Sequence, residues 1–150
     1  MTVGDICKRD VVIAPKTELV VDAAKRMRTS HVGALVVIDN RQGQHVPIGI
    51  VTDRDIVICA VAGDPDHINY LTVGEVMSSD PVTAEEEDSI EAALRKMHQH
   101  GIRRLPVVDW NGLLVGILTL DDVLRYLTSQ QSELVQLVAE EQLHERQHRI

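Results

Sequence analysis

Gly49-Ile50-Val51-Thr52-Asp53-Arg54-Asp55 returns 67 residues later as Gly116-Ile117-Leu118-Thr119-Leu120-Asp121-Asp122. Working back towards the N-terminus, the same doubling continues. Asp39 and Asp109, Leu35 and Leu105, Met27 and Met97, Ala23 and Ala93, and Asp10 and Asp80 correspond at an offset of 70. So do the openings, Val3-Gly4-Asp5-Ile6-Cys7 and Val73-Gly74-Glu75-Val76-Met77. A fixed internal period means one structural unit used twice. The offset drops by three within Asn40 to Pro47, a polar stretch with Gly43 and Pro47 that reads as a hairpin loop lengthened by three residues.

Each copy carries the same local signals. A short strand is expected at Val11 to Ala14 and at Val82 to Thr83, followed by a turn. Ile90, Ala93, Leu94 and Met97 then fall on one helical face, as do Val20, Ala23, Ala24 and Met27. Ser89 or Asp88 is placed to cap the second of these helices, and the acidic run Glu85 to Asp88 suits its positive end. Leu35-Val36-Val37-Ile38 and Leu105-Pro106-Val107-Val108 read as buried strands. Ile48 to Val51 and Val115 to Leu118 are their hairpin partners, the second joined through Asn111-Gly112. A closing helix starts just after Thr52 and Thr119. The unit is β-α-β-β-α, twice: repeat one over 1–66 and repeat two over 67–128, with a helical extension over 129–150. In that extension Leu134, Leu137 and Val138 form a short apolar stripe within a separate segment, Ser132 to Arg149.

Composition narrows the function. The net charge of −8 disfavours polyanionic partners such as DNA, RNA or an anionic membrane surface. Phe is absent and aromatics make up 2%, so the core must be aliphatic. No apolar run approaches the ~20 residues of a membrane span. Met1 to Asp10 carries charges and no apolar signal core. Cys7 and Cys59 read as reduced thiols, and the expected location is the cytoplasm. No nucleophile–base order, phosphate loop or dinucleotide fingerprint appears, so no enzyme is expected. His144 and His148 have chelating spacing but no third ligand, so no metal site is expected either.

The doubled openings, the Ala23 to Met27 and Ala93 to Met97 helices, the Arg104 to Val108 strand and above all the two G-h-h-[ST]-x-x-D endings resemble the CBS (cystathionine-beta-synthase) domain over about residues 1–128. The resemblance implies an α/β (α+β) fold. Two tandem repeats would pack sheet to sheet about a pseudo-twofold axis, leaving two ligand clefts, and such pairs usually form homodimers. It implies an adenosyl ligand: AMP, ADP or ATP first, with S-adenosylmethionine or NAD as further members of the class. Asp122 would face the opening strand of repeat one, and Asp55 that of repeat two. By family position Val12, Ile13 and Val32 would line one base slot, and Val82, Thr83 and Ile102 the other.

The residue chemistry is compatible with that reading. Thr52 and Thr119 are good helix caps, and Asp55 and Asp122 suit the first helical turn. The same carboxylates, acceptors only, can also take two hydroxyls of a ribose. Phosphates need cations. Arg103 and Arg104 supply them in repeat two, whereas Gly33 and Ala34 occupy the matching positions in repeat one. Arg54 adds a third, although Asp53 and Asp55 invite it into local salt bridges. Without an aromatic to stack on the base, affinity is expected to be about micromolar or weaker. The alternative is a ligand-free dimerisation scaffold that docks an unidentified protein effector.

Overall fold

The computed structural model describes residues 1–148. The chain opens with a one-turn helix, α1 (Val3–Ile6), then β1 (Ile13–Pro15), α2 (Val20–Ser30), β2 (Ala34–Arg41) and β3 (Gln44–Thr52). A short turn, α3 (Asp53–Asp55), widens into a π-helical segment at Ile56–Val61 and closes the first half. The second half runs through α4 (Val73–Val76), β4 (Ser78–Ser79), β5 (Ala84–Glu85), α5 (Ile90–His100), β6 (Arg104–Val108), β7 (Leu114–Thr119) and α6 (Leu120–His148). One sheet has the order β1-β2-β3-β4 and the other β5-β6-β7. In each, the central strand pairs parallel with the opening strand and antiparallel with its hairpin partner.

Burial follows the predicted helical faces. Val20, Ala23 and Met27 of α2 are buried, and so are Ile90, Ala93 and Met97 of α5. The two cores match at most of their positions. Ala14, Ala23, Met27, Leu35 and Val37 in one stand where Ala84, Ala93, Met97, Leu105 and Val107 stand in the other. With no aromatics, each core relies on many such aliphatic burials, roughly 1.5–3 kcal/mol for each fully buried Val or Leu.

The halves exchange their openings. Val3 belongs to the core of the second half, and Val73 and Val76 to that of the first. Val3 N–H donates to Asp88 O at 2.8 Å, and reciprocally Val73 N–H donates to Glu18 O at 2.8 Å. Gly4 N–H reaches Glu86 O and Gly74 N–H reaches Lys16 O, both at 2.9 Å. β4 extends the first sheet beside β3, and Lys8 bridges to Ile117 at the same place in the second. This reciprocity is the pseudo-twofold relation. It requires glycine at Gly49 and Gly116, where a β-carbon would stand 2.8 Å from the carbonyl oxygens of Ser78 and Lys8 respectively.

Four local expectations are corrected. The opening strands lie two residues later than read from sequence, because Val12 only offers its carbonyl to Val36 N–H (3.1 Å) before the parallel ladder starts at Ile13. Val82 and Thr83 likewise precede β5. The Asn40 to Pro47 stretch is mostly strand: Gln42 and Gly43, with φ of 56° and 83°, make a two-residue turn, and the insertion lengthens the ribbon instead of looping out. The helix expected as a separate segment from Ser132 is continuous with the closing helix, a single 29-residue α6. The expected end of that segment at Arg149, and the extension to Ile150, lie outside the described residues. No described helix is long and apolar enough to cross a membrane.

Candidate ligand-binding cleft

At the end of β3 the chain turns sharply into α3. Asp55 N–H donates to Thr52 Oγ1 at 3.1 Å, while Thr52 N–H donates to Asp55 Oδ2 at 2.9 Å. The second half repeats this reciprocal cap at the start of α6. Asp122 N–H donates to Thr119 Oγ1, and Thr119 N–H to Asp122 Oδ2, both at 3.1 Å. The Thr-x-x-Asp motif is therefore a helix cap in both halves, and it occupies only one carboxylate oxygen of each aspartate.

The remaining oxygens differ. Asp55 Oδ1 receives no hydrogen bond from the described residues, and its side chain is half-buried. Asp122 Oδ1 accepts from Arg125 Nη1 at 3.1 Å and lies 3.7 Å from Lys8 Nζ; its side chain is 5% exposed.

Asp55 faces a cavity of about 480 Å³ between the two halves. Thr52, Arg54 and Asp55 form one side with Ile50 and Asp53. Ile102, Arg103 and Arg104 come from the start of β6, and Val82 from the segment before β5. All but Ile50 and Asp53 are candidates from sequence, seven of the thirteen. Thr83 lies outside the cavity lining, and its carbonyl accepts from Lys96 Nζ at 2.9 Å. Gly33 sits between the halves, where a β-carbon would come within 3.2 Å of Arg104 Nη2 and 3.3 Å of Asp53 Oδ2. A larger residue there would displace Arg104.

Among the described residues, no carboxylate lies within 4 Å of the guanidinium groups of Arg54, Arg103 or Arg104. This corrects the expectation of local salt bridging at Arg54, whose backbone N–H, not its side chain, reaches Asp53 Oδ1 at 2.8 Å. Several cations elsewhere are committed: Arg9 to Glu86, Arg26 to Glu18 and Lys96 to Asp88. An anion entering this cavity meets three guanidiniums without ion-pair partners and an open carboxylate oxygen in one lining. That combination suits a sugar phosphate.

The other candidates, Val12, Ile13, Val32, Thr119 and Asp122, belong to the opposite side of the pseudo-twofold. Val12 and Val32 pack against the first core. The Ile13 carbonyl accepts from Arg26. Sequence reasoning missed Ser78, Ser79 and Asp80, which line the Asp55 cavity because α4 and β4 cross over to the first sheet. His100, which the sequence places at a helix end where it could also approach a phosphate, lines it too. Its Nδ1–H donates to Lys96 O at 2.9 Å, leaving Nε2 for other partners. Among the described residues no three His, Cys, Asp or Glu side chains converge to hold a metal.

Known proteins share this architecture. A family model for the CBS domain matches residues 3–61 and again 73–129. The uncharacterised protein MK0525 of Methanopyrus kandleri is 38% identical over 127 residues, 83% of this chain and 62% of that one, so the chain spans under two thirds of this relative. The structure of the CBS domain protein PAE2072 from Pyrobaculum aerophilum, complexed with AMP, superposes with a TM-score of 0.72 at 30% identity over 81% of this chain and 89% of that one. The CBS domain pair of protein MJ0100, in complex with 5-methylthioadenosine and S-adenosyl-L-methionine, gives 0.75 at 27% identity over 87% of this chain and 98% of that one. Two matched repeats, each closed by a Thr-x-x-Asp cap and meeting sheet to sheet, make this chain a tandem pair in the CBS-domain family.

Proposed function

We propose that the chain is a non-catalytic regulatory module that senses an adenine nucleotide or another adenosyl ligand between its repeats. AMP, ADP and ATP head the class, followed by S-adenosylmethionine and NAD. The observation that carries this reading is the Asp55 cavity, whose lining combines an open carboxylate oxygen with three unpaired guanidiniums. The ribose hydroxyls would donate to Asp55 Oδ1, Val82 and Ile102 would hold the base, and Arg54, Arg103 and Arg104 would hold phosphate. AMP in PAE2072 and S-adenosyl-L-methionine in MJ0100 support the choice of ligand class. Binding would tie the two halves together and bias a state read by a protein effector.

Isothermal titration with each of the five ligands tests this. Asp55→Asn is the informative variant, because its amide oxygen still caps Thr52 N–H while the ribose acceptor becomes a donor. Losing hydrogen bonds to a charged group costs about 1.5–3 kcal/mol, a 10- to 100-fold loss in affinity. Flat traces for every ligand would reject the reading.

The same reading includes a homodimer. On α6, Leu124, Leu127, Gln131, Leu134 and Val138 follow the alternating three–four spacing of a coiled-coil seam. Leu134 and Val138 are 64% and 54% exposed. A second copy of this helix is the occupant such a seam fits, with Gln131 as the polar register position. The seam continues past Thr128 on a helix that extends about 30 Å farther. Chain mass in solution, with and without residues 129–150, checks it: the shortened chain is expected to be monomeric.

A further inference from the structure

The two halves carry matched cores but unmatched clefts, and the basic residues of the clefts are distributed differently. Under the repeat correspondence, Ser78 beside the Asp55 cavity becomes Lys8 beside Asp122. Ile58 becomes Arg125. Arg103 and Arg104 become Gly33 and Ala34, and Arg54 becomes Asp121. Three arginines are thus lost and two cations are gained beside the ribose acid, while Ser79 to Arg9 and Asp53 to Leu120 run the other way.

We infer that the chain takes one nucleotide, in the Asp55 cleft, and that Lys8 and Arg125 keep the Asp122 cleft closed by occupying the carboxylate a ribose would need. This rests on the reading of the Asp55 cleft as a nucleotide site. Asp122 Oδ1 already holds Arg125 Nη1 at 3.1 Å and Lys8 Nζ at 3.7 Å on a side chain only 5% exposed. A ribose hydroxyl there must displace a cationic donor and put a neutral donor in its place on the carboxylate. Nothing at the far end compensates. Arg9, at the position matching Ser79, is held by Glu86 Oε2 at 2.8 Å and by Gly4 O at 2.9 Å. The pull of Glu86 also keeps its guanidinium firmly protonated. A phosphate there would meet Asp121 in place of Arg54, beside an Asp10 that matches Asp80 of the other cleft, with Arg9 already committed to Glu86.

Native mass spectrometry of the full chain counts ligands per chain, with AMP and adenosine as probes. The wild type is expected to hold one AMP per chain, and Asp55→Asn to lose it. In the Lys8→Ser/Arg125→Ile double variant, adenosine should reach two per chain while AMP stays at one, since the phosphate end still lacks cations. Both substituted side chains are more than half exposed, so the fold tolerates them. Two AMP per wild-type chain, with one retained by Asp55→Asn, would overturn the inference and leave the nucleotide reading standing. A double variant limited to one adenosine would overturn the role of Lys8 and Arg125. No AMP or adenosine on any form would overturn the nucleotide reading together with the inference.

Discussion

Replacing Gly49 with alanine tests the crossing of the two halves. The added β-carbon would stand 2.5 Å from Met77 Sδ and 2.8 Å from the Ser78 carbonyl oxygen, against an ordinary contact of 3.4 Å or more. Met77 can swing away, but the Ser78 backbone cannot move without β4. That strand is two residues long and held at Gly49↔Ser79 and Ile50↔Ser78, so it must retreat about 0.6 Å or detach. Losing two or three net hydrogen bonds of about 1 kcal/mol each gives roughly 2–3 kcal/mol, inside the 1–3 kcal/mol typical of overpacking. Alanine also restricts the unfolded chain, which returns about 0.4–1 kcal/mol. The clash wins, leaving about 2 kcal/mol of destabilisation, or a Tm lower by about 4–8 °C at this size. Because Ser78, Ser79 and Asp80 line the cavity, AMP affinity should fall as well. Gly116→Ala makes the matching clash, 2.8 Å from Lys8 O, so it should lower Tm similarly and leave AMP affinity within about twofold. Thermal circular dichroism and titration calorimetry read both quantities. A Gly49→Ala protein with unchanged or higher Tm would refute the close approach of β4.

Three further outcomes are expected. Val3→Ala should cost about 1–3 kcal/mol, and its hydrogen-exchange protection should drop in α5 and β7 of the other half, where Val3 is buried, rather than in α2. Burial opposes ionisation of Asp88, yet the Glu85 N–H and Lys96 Nζ, both at 3.0 Å, outweigh it and hold its carboxyl below the usual range. A depressed pKa stabilises above the unfolded value near 3.9 and is lost as pH falls through the folded value. The urea midpoint of the wild type should therefore exceed that of Asp88→Asn at pH 7, with the gap closing below about pH 4. Burial pushes the Cys7 thiol up, whereas Cys59 is exposed. Iodoacetamide at pH 8 should label Cys59 first, and peptide mass spectrometry showing equal rates would contradict the packing of Cys7 against Gly116.

The repeat, the faces of α2 and α5 and both helix caps were legible in the chain because they depend on period and on spacing within four residues. What escaped was long-range. Val3 and Val73 look equally apolar whichever core receives them, so nothing local announces that the openings are exchanged. The exchange brings Ser78, Ser79 and Asp80 to the Asp55 cavity and Lys8 to Asp122. The continuity of α6 escaped for a different reason: Thr128, Ser129 and Ser132 are weak helix formers, and the stripe beyond them resembled a fresh start. The contrast between Arg103-Arg104 and Gly33-Ala34 was visible in sequence, and it marked the cleft whose lining holds three unpaired guanidiniums.

That contrast separates folding from recognition in this molecule. The buried positions of the two halves are near copies, Leu35 with Leu105 and Met27 with Met97, while the residues facing the clefts have diverged in charge. Cores that agree set one fold twice, and the clefts are free to differ because their side chains contribute little to burial. Arg103 and Arg54 are exposed, and neither has an ion-pair partner among the described residues. Substituting both with alanine should therefore change stability by no more than about 0.5 kcal/mol, as for surface positions outside any network. The same double substitution should lower affinity for ATP far more than for adenosine, since only ATP uses the cationic end. A double variant that lost stability and adenosine binding together would show that the arginines hold the halves in place rather than the phosphates, and the division between fold and recognition would fail at that point.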